Sequence, residues 1–407
     1  MDHAVNLSTE QVSLSESSIW HKLPVIGGIV GIVGLGAGFA LGQGHKLELL
    51  YSYLFAYLYF LTIALGGLFF VILHHLCRAG WSVVVRRLAE HIAWTMPLFA
   101  VLFLPIAISY GDIFYWANAP ADDAILAHKA AYFEPAFFFA RAVFYLVTWI
   151  LLARFYNRLS KAQDETGGIE ATRKMQTWSA ISMVLFGVTI NFASFDWIMS
   201  LDPHWFSTIF GVYFFSGSFV AALATMILIV LQLQRSGQLQ NVVTFEHFHD
   251  LGKLLFAFTV FWAYIGFSQF MLIWYGNLPE ETAWFDHRWG PEGWQMVSIV
   301  LAAGHFALPF LFLLFSDHKR RRWSLTFASV WMLAFHAIDI YWLVMPNLAL
   351  MDHDTFHDFH PSLINVACFL GVGGLFMAVL AWRMKEPAPL VPIKDPRLAE
   401  SLAFENI

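Results

Sequence analysis

Cysteine is almost absent: Cys77 and Cys368 are the only two in 407 residues. They cannot form a CxxC pair, and no CxxCH motif occurs. This argues against covalently attached haem, an iron–sulfur cluster bound by this chain, or a disulfide framework. No metal centre is expected from the sequence spacing. Charge is equally scarce, at 13% of residues against ~25% in a soluble domain. A removable leader is not expected either. Residues 1–22 are polar, and the first apolar run begins near Leu23 without a convincing cleavage motif. Nothing in the charge pattern points to nucleic acid.

What is present is apolar and aromatic. Hydrophobic residues make up 58% of the chain, with 17 Trp and 41 Phe. A hydrocarbon core of ~30 Å needs about 20 apolar residues per helix. Ten runs of that order are predicted, at 23–42, 51–76, 90–110, 134–155, 178–200, 208–232, 254–276, 294–316, 324–346 and 361–382. The fold class is therefore an all-α polytopic membrane protein, with a polar segment at 1–22 and a polar tail at 383–407. The first run is glycine-rich. Gly27, Gly31, Gly34 and Gly38 suit either close helix packing or a flexible peripheral anchor.

The loops sort by charge. Alternate connections, counted from the N-terminus, carry 19 of the 23 basic residues, and the opposite ones carry only Lys46, Lys129 and Arg288. The positive-inside rule then predicts both termini in the cytoplasm. The opposite loops are acidic, with Asp122, Asp123, Glu280, Glu281, Glu292, Asp352, Asp354 and Asp358 among them. In the short hairpin "SLDPHWFS", Asp202 reads as a helix cap and Pro203 as the first residue of the next helix. Lys319, Arg320, Arg321 and Arg322 form a basic cluster suited to anionic phospholipid.

Ionisable residues inside spans are costly and usually functional or paired. Five fall in one layer of the half distal to the termini: Arg141, Asp196, His305, His336 and Asp339. His336 and Asp339 are three apart and share a helix face, a natural proton relay. Pro309 removes the bond to the carbonyl of His305 and loosens the helix there. Nearer the basic loops, His74, His75, Glu90 and His91 form a second group, separated from the first by a mostly apolar gap. Each has a plainer reading as a helix-locking pair or a satisfied core histidine.

At these residues the chain resembles a known family. "SFDWIMSLDPHWFSTIFG", "GHFALPFLFLLFSDHKRR" and the ten-span plan are similar to the integral-membrane subunits of alternative complex III. That bacterial complex is a quinol:cytochrome c (or cupredoxin) oxidoreductase, and its membrane subunits belong to the NrfD-like family of polysulfide and nitrite reductases. The resemblance covers roughly residues 20–385, and length and short termini look more like ActF than the longer ActC. It implies two four-helix bundles, here the second to fifth and sixth to ninth spans, flanked by the first and tenth. The third helix of each bundle then carries a base (Arg141, His305) and the fourth an acid (Asp196, Asp339). The resemblance further implies the bacterial inner membrane and three partners: a multihaem cytochrome, an iron–sulfur protein and an ActC-like membrane subunit. Haem and clusters would reside on those partners. Quinone binding and proton conduction both stand open as roles for this chain.

Three other classes compete. A secondary transporter would show Gly/Pro-broken helices at matching positions of the two halves, and none stand out. A b-haem cytochrome needs two histidines at one level on facing helices, for which only His305 and His336 offer themselves. A purely structural anchor needs nothing beyond the spans.

Overall fold

The computed structural model describes residues 7, 9–120, 122–289, 293–351 and 359–406. Asp352, Asp354, Asp358 and Glu292 lie outside these. All regular structure among the described residues is helical. Among the described residues ten helices are long and apolar enough to cross a membrane, as in a multi-pass membrane protein. They are α1 (Leu23–Leu41), α2 (Lys46–Leu76), α3 (Val83–Ile108), α4 (Pro135–Thr166), α5 (Glu170–Leu201), α6 (Phe210–Arg235), α7 (Phe245–Gly276), α8 (Trp294–Leu314), α9 (Arg322–Met351) and α10 (Leu363–Met384).

Several helices outrun their apolar cores. α3 begins at Val83, so Arg86 and Arg87 are helical and buried rather than in a loop. α4 and α5 extend to within a few residues of each other, which puts Arg158, Lys161, Arg173 and Lys174 on helices. Apolar periodicity ends where the hydrocarbon ends, but a helix continues as long as its polar residues find partners. The helical run of α3 is broken around Trp94–Thr95 and Phe103, just before Pro97 and Pro105, whose rings cannot accept the preceding turn unchanged.

The helices pack as two four-helix bundles. In the first, α2 lies against α3 and α5, and α4 against α5 and α3; in the second, α6 lies against α7 and α9, and α8 against the same pair. α2 and α6 form the seam between bundles. α2 is the central helix, buried along nearly its whole length from Tyr51 to His75. At the seam a side chain on Gly66 would collide with the Ser218 carbonyl and Ala222.

α1 is no loose anchor. Its four glycines face α10, where a Cβ at Gly34 would sit 2.6 Å from the Gly371 nitrogen and one at Gly27 would sit 2.7 Å from the Gly374 oxygen. Only glycine on both helices permits this backbone approach.

Both tails pack on one end of the molecule, as an even number of spans requires. Leu390 donates its amide to the Val12 carbonyl (2.7 Å), and Leu239 donates to that of Gln11 (2.9 Å). Arg86 pairs with Asp395 (2.5 Å) and His247 meets the Ser401 carbonyl (3.0 Å). We call this the terminal face.

The hairpin between α5 and α6 differs from the sequence expectation. α6 starts at Phe210 with Ile209 at its cap position. Asp202 instead accepts the His204 amide (3.3 Å), closing a local turn, and Pro203 lies in the loop. Asp before proline favours this self-contained turn over capping a helix eight residues on.

Candidate functional site

The single layer of five ionisable residues resolves into two sites, one per bundle. In the first bundle, Arg141 on α4 grips Asp196 on α5 through two bonds, Nε to Oδ2 (2.8 Å) and Nη2 to Oδ1 (3.0 Å). Tyr145, one turn along from Arg141, donates its hydroxyl to Asp196 Oδ2 (2.8 Å). The guanidinium also donates to the Tyr132 carbonyl (3.0 Å) and lies 4.0 Å from the Tyr132 ring centre. Both carboxylate oxygens and the charge are therefore satisfied, as in a bidentate lock.

The second bundle holds a different arrangement. Asp339 and His336 on α9 and His305 on α8 present one ligand atom each, all within 4.8 Å of one another and all buried. Asp339 Oδ1 accepts the Tyr213 hydroxyl from α6 (2.5 Å), and Oδ2 accepts the Trp262 indole N–H from α7 (3.0 Å). Among the described residues no lysine or arginine pairs with this carboxylate; its one ion-pair contact is His336 Nδ1 at 3.8 Å. Thr62 on α2 gives its own hydroxyl proton to the Tyr59 carbonyl (2.6 Å), so its oxygen accepts from His336 Nε2 (2.8 Å). With the Thr62 hydroxyl turned to Tyr59, the proton of His336 is assigned to Nε2, and Nδ1 faces Asp339 without a hydrogen-bond partner among the described residues. His305 packs against the Trp262 ring (3.9 Å between centres, tilted by 30°), and among the described residues neither ring nitrogen has a hydrogen-bond partner.

The local backbone explains how His305 gets there. Ala302–Ala307 is a π-helical turn inside α8, directly before Pro309. The wider turn absorbs the bond that proline cannot donate. Gly304 packs so closely that a Cβ would strike the Phe335 ring, and its carbonyl is taken by the Trp331 indole (2.7 Å).

The b-haem reading finds no support in the packing. The imidazole centres, 6.4 Å apart, could span an iron, but His336 Nε2 is taken by Thr62. Trp262, Thr62 and Gly217 fill the flanks, which leaves no slot for a macrocycle.

The group near the terminal face lies in the first bundle. Glu90 sits between Arg87 (3.3 Å) and Arg86 (3.8 Å), and Asp164 holds Arg87 from α4 (2.8 Å). His74 bonds the Phe70 carbonyl (2.8 Å), and His75 stacks on Tyr156 (5.5 Å between centres). His75 Nε2 and His91 Nδ1 are buried without a hydrogen-bond partner among the described residues. Thr62 and His74 share α2, twelve residues or roughly 18 Å apart. The side chains between them on α2 are apolar.

The basic cluster loses one member. Lys319 turns inward and donates to the Leu313 (2.5 Å) and Leu314 (3.1 Å) carbonyls, capping the end of α8. Burial there lowers its ammonium from the ordinary value, with Lys253 adding to the effect. Arg320 faces Glu246 (3.6 Å) and Arg321 faces Asp317 (3.4 Å). Arg320 and Arg322 line a shallow hollow with Gln240 and Asn241. Arg320, Arg321 and Arg322 remain exposed.

One larger cavity, about 520 Å³, opens on the second bundle near the face opposite the termini. Tyr213 and Trp262, the two donors to Asp339, form part of its wall, with Gln269, Phe306 and Trp342. The helix Pro279–Trp289 covers it through Trp284 and Phe285. Arg288 of that helix is buried over the Trp284 ring (3.4 Å) and donates only to carbonyls, those of Trp284, Trp342 and Leu343. Desolvation lowers its pKa to about 9.

Sequence reasoning missed Thr62, Tyr213, Trp262 and Tyr145. Tyr145 carried a signal, four residues from Arg141 on the same face. The other three sit on helices remote in sequence and are ordinary residues for a membrane helix. The chain matches no protein-family model and no curated protein.

Proposed function

We propose that this chain is the integral-membrane subunit of a respiratory quinol:electron-acceptor oxidoreductase of the alternative complex III kind. It carries no redox centre of its own and passes protons through its second bundle. One observation carries the reading: Asp339, buried with no lysine or arginine partner among the described residues, faces Nδ1 of His336 and both nitrogens of His305, which have no hydrogen-bond partner there. A buried carboxylate in a membrane span without a cation is expensive unless it binds a proton. Multihaem and iron–sulfur partners would handle the electrons. The family resemblance supplies the complex, and the charge asymmetry supports termini in the bacterial cytoplasm.

A second reading concerns quinone. The cavity is apolar, and its wall includes both donors to Asp339. A quinol headgroup against Tyr213 would stand one hydrogen bond from the acid that accepts its proton. The bland reading, a structural anchor, draws on Arg141–Asp196, which is fully paired. A secondary transporter has no such specific support.

The test is affinity purification of the tagged chain from its native membrane. Retention of a multihaem cytochrome and a large iron–sulfur protein supports the reading. A chain that purifies alone or with a transport partner contradicts it.

A further inference from the structure

We propose that His305, His336 and Asp339 form a binding site for a divalent transition-metal cation of the zinc class. The argument begins with electron pairs. His336 Nε2 spends its proton on Thr62, so Nδ1 is a lone pair. Both Asp339 oxygens accept bonds from Tyr213 and Trp262, so the carboxylate has no need of a proton from its neighbours to satisfy those donors. Among the described residues nothing hydrogen-bonds either nitrogen of His305, which is fully buried. Three donor atoms within 4.8 Å thus face one another with no hydrogen bond joining them. The other buried aspartate, Asp196, faces an arginine, whereas this one does not.

Two imidazoles and a carboxylate are a zinc-type donor set, with a fourth position left for water. Imidazole nitrogen disfavours magnesium and calcium, which take oxygen ligands. Zinc bonds of about 2.0–2.2 Å require the donors to draw in from their present spacing.

The surroundings are those of a supported site. Thr62 orients His336 through its remote nitrogen, and Tyr213 and Trp262 hold Asp339. Gly217 of α6 faces the same space. A Cβ there would come within 3.2 Å of His336 Nδ1 and 3.4 Å of Asp339 Oδ2. The π-turn of α8 sets His305 apart from the ordinary helical register. Zn²⁺ and protons would compete for the same lone pairs, so a bound ion would stop the relay.

The experiment uses the full-length protein, purified in detergent and stripped with EDTA. It is equilibrated with ZnCl₂ or CoCl₂ and desalted, and metal per chain is measured by mass spectrometry. We expect about one equivalent, with visible Co²⁺ ligand-field bands, and a loss of both in His305→Ala and His336→Ala. Thr62→Val leaves all three ligands in place and should weaken binding about 10–100-fold, so it decides the matter if a ligand variant misfolds. His204→Ala, in the loop pair with Asp123, should retain the metal. Wild-type protein that holds no metal overturns the site. So does Thr62→Val or His305→Ala protein that binds as tightly as wild type. Metal binding is read here without electron transfer or vesicles, so its failure leaves the proton reading standing, and the reverse also holds.

Discussion

Asp196 and Asp339 are both buried acids on the last helix of a bundle, yet they are held differently. Asp196 has an arginine and a tyrosine, and removing Arg141 leaves the buried Asp196 carboxylate without its cation. Breaking such a pair costs about 3–5 kcal/mol. Arg141→Met should therefore lower the melting temperature in detergent markedly, while Asp339→Asn, which keeps the shape and one acceptor oxygen, should lower it far less. Equal losses would make Asp339 a packing residue. The sequence exposed all five ionisable residues because charge stands out in an apolar run. It could not show that they split between bundles, since that depends on which helices touch. Outside the spans, Asp123 accepts the amides of Leu126 and Ile125 and meets His204 (2.7 Å). The Leu126 amide, then His204, hold its carboxyl below the ordinary range. Its contribution is present above the ordinary pKa of ~4 and is lost as pH falls through the lowered value. Amide protection in Ala124–Lys129 should thus persist at pH 4 and fail only under stronger acid. Protection that fails already at pH 5 would contradict this.

Among the helices, α1 and α10 show how a motif with two readings is decided by its partner. The glycines of α1 alone are equally compatible with flexibility, but Gly371 and Gly374 on α10 meet them backbone to backbone. Gly34→Leu should separate the two helices without touching the buried acids. The cost of such overpacking is about 1–3 kcal/mol. The variant should expose α1 to proteolysis while α2–α9 remain protected; uniform protection would mean that the contact is dispensable. The basic turn before α9 makes the complementary point. Four consecutive cations look alike in sequence, but Lys319 is committed to the carbonyls ending α8. Replacing Arg320 and Arg322 with glutamine should reduce co-purifying anionic phospholipid, whereas Lys319→Gln should act on stability. Unchanged lipid in the double variant would remove the headgroup role.

For the whole molecule, the ten helices and the shared end for the termini were legible from apolar length and loop charge. The bundle pairing came from the family resemblance, and the seam between α2 and α6 emerges only from packing. The orientation is testable in a Cys77→Ser background. An impermeant thiol reagent on intact cells should label Glu280→Cys and spare Arg321→Cys. The reverse pattern would invert the topology. The central claim is that protons pass through His336 and Asp339 in the second bundle, and reconstitution of the intact complex in sealed vesicles tests it most directly. With a pH-sensitive dye, Asp339→Asn complexes that assemble should move protons well below the wild-type rate per quinol oxidised, because an amide takes up no proton in the physiological range. Assembled Asp339→Asn complexes with wild-type proton movement and wild-type quinol oxidation would contradict the account.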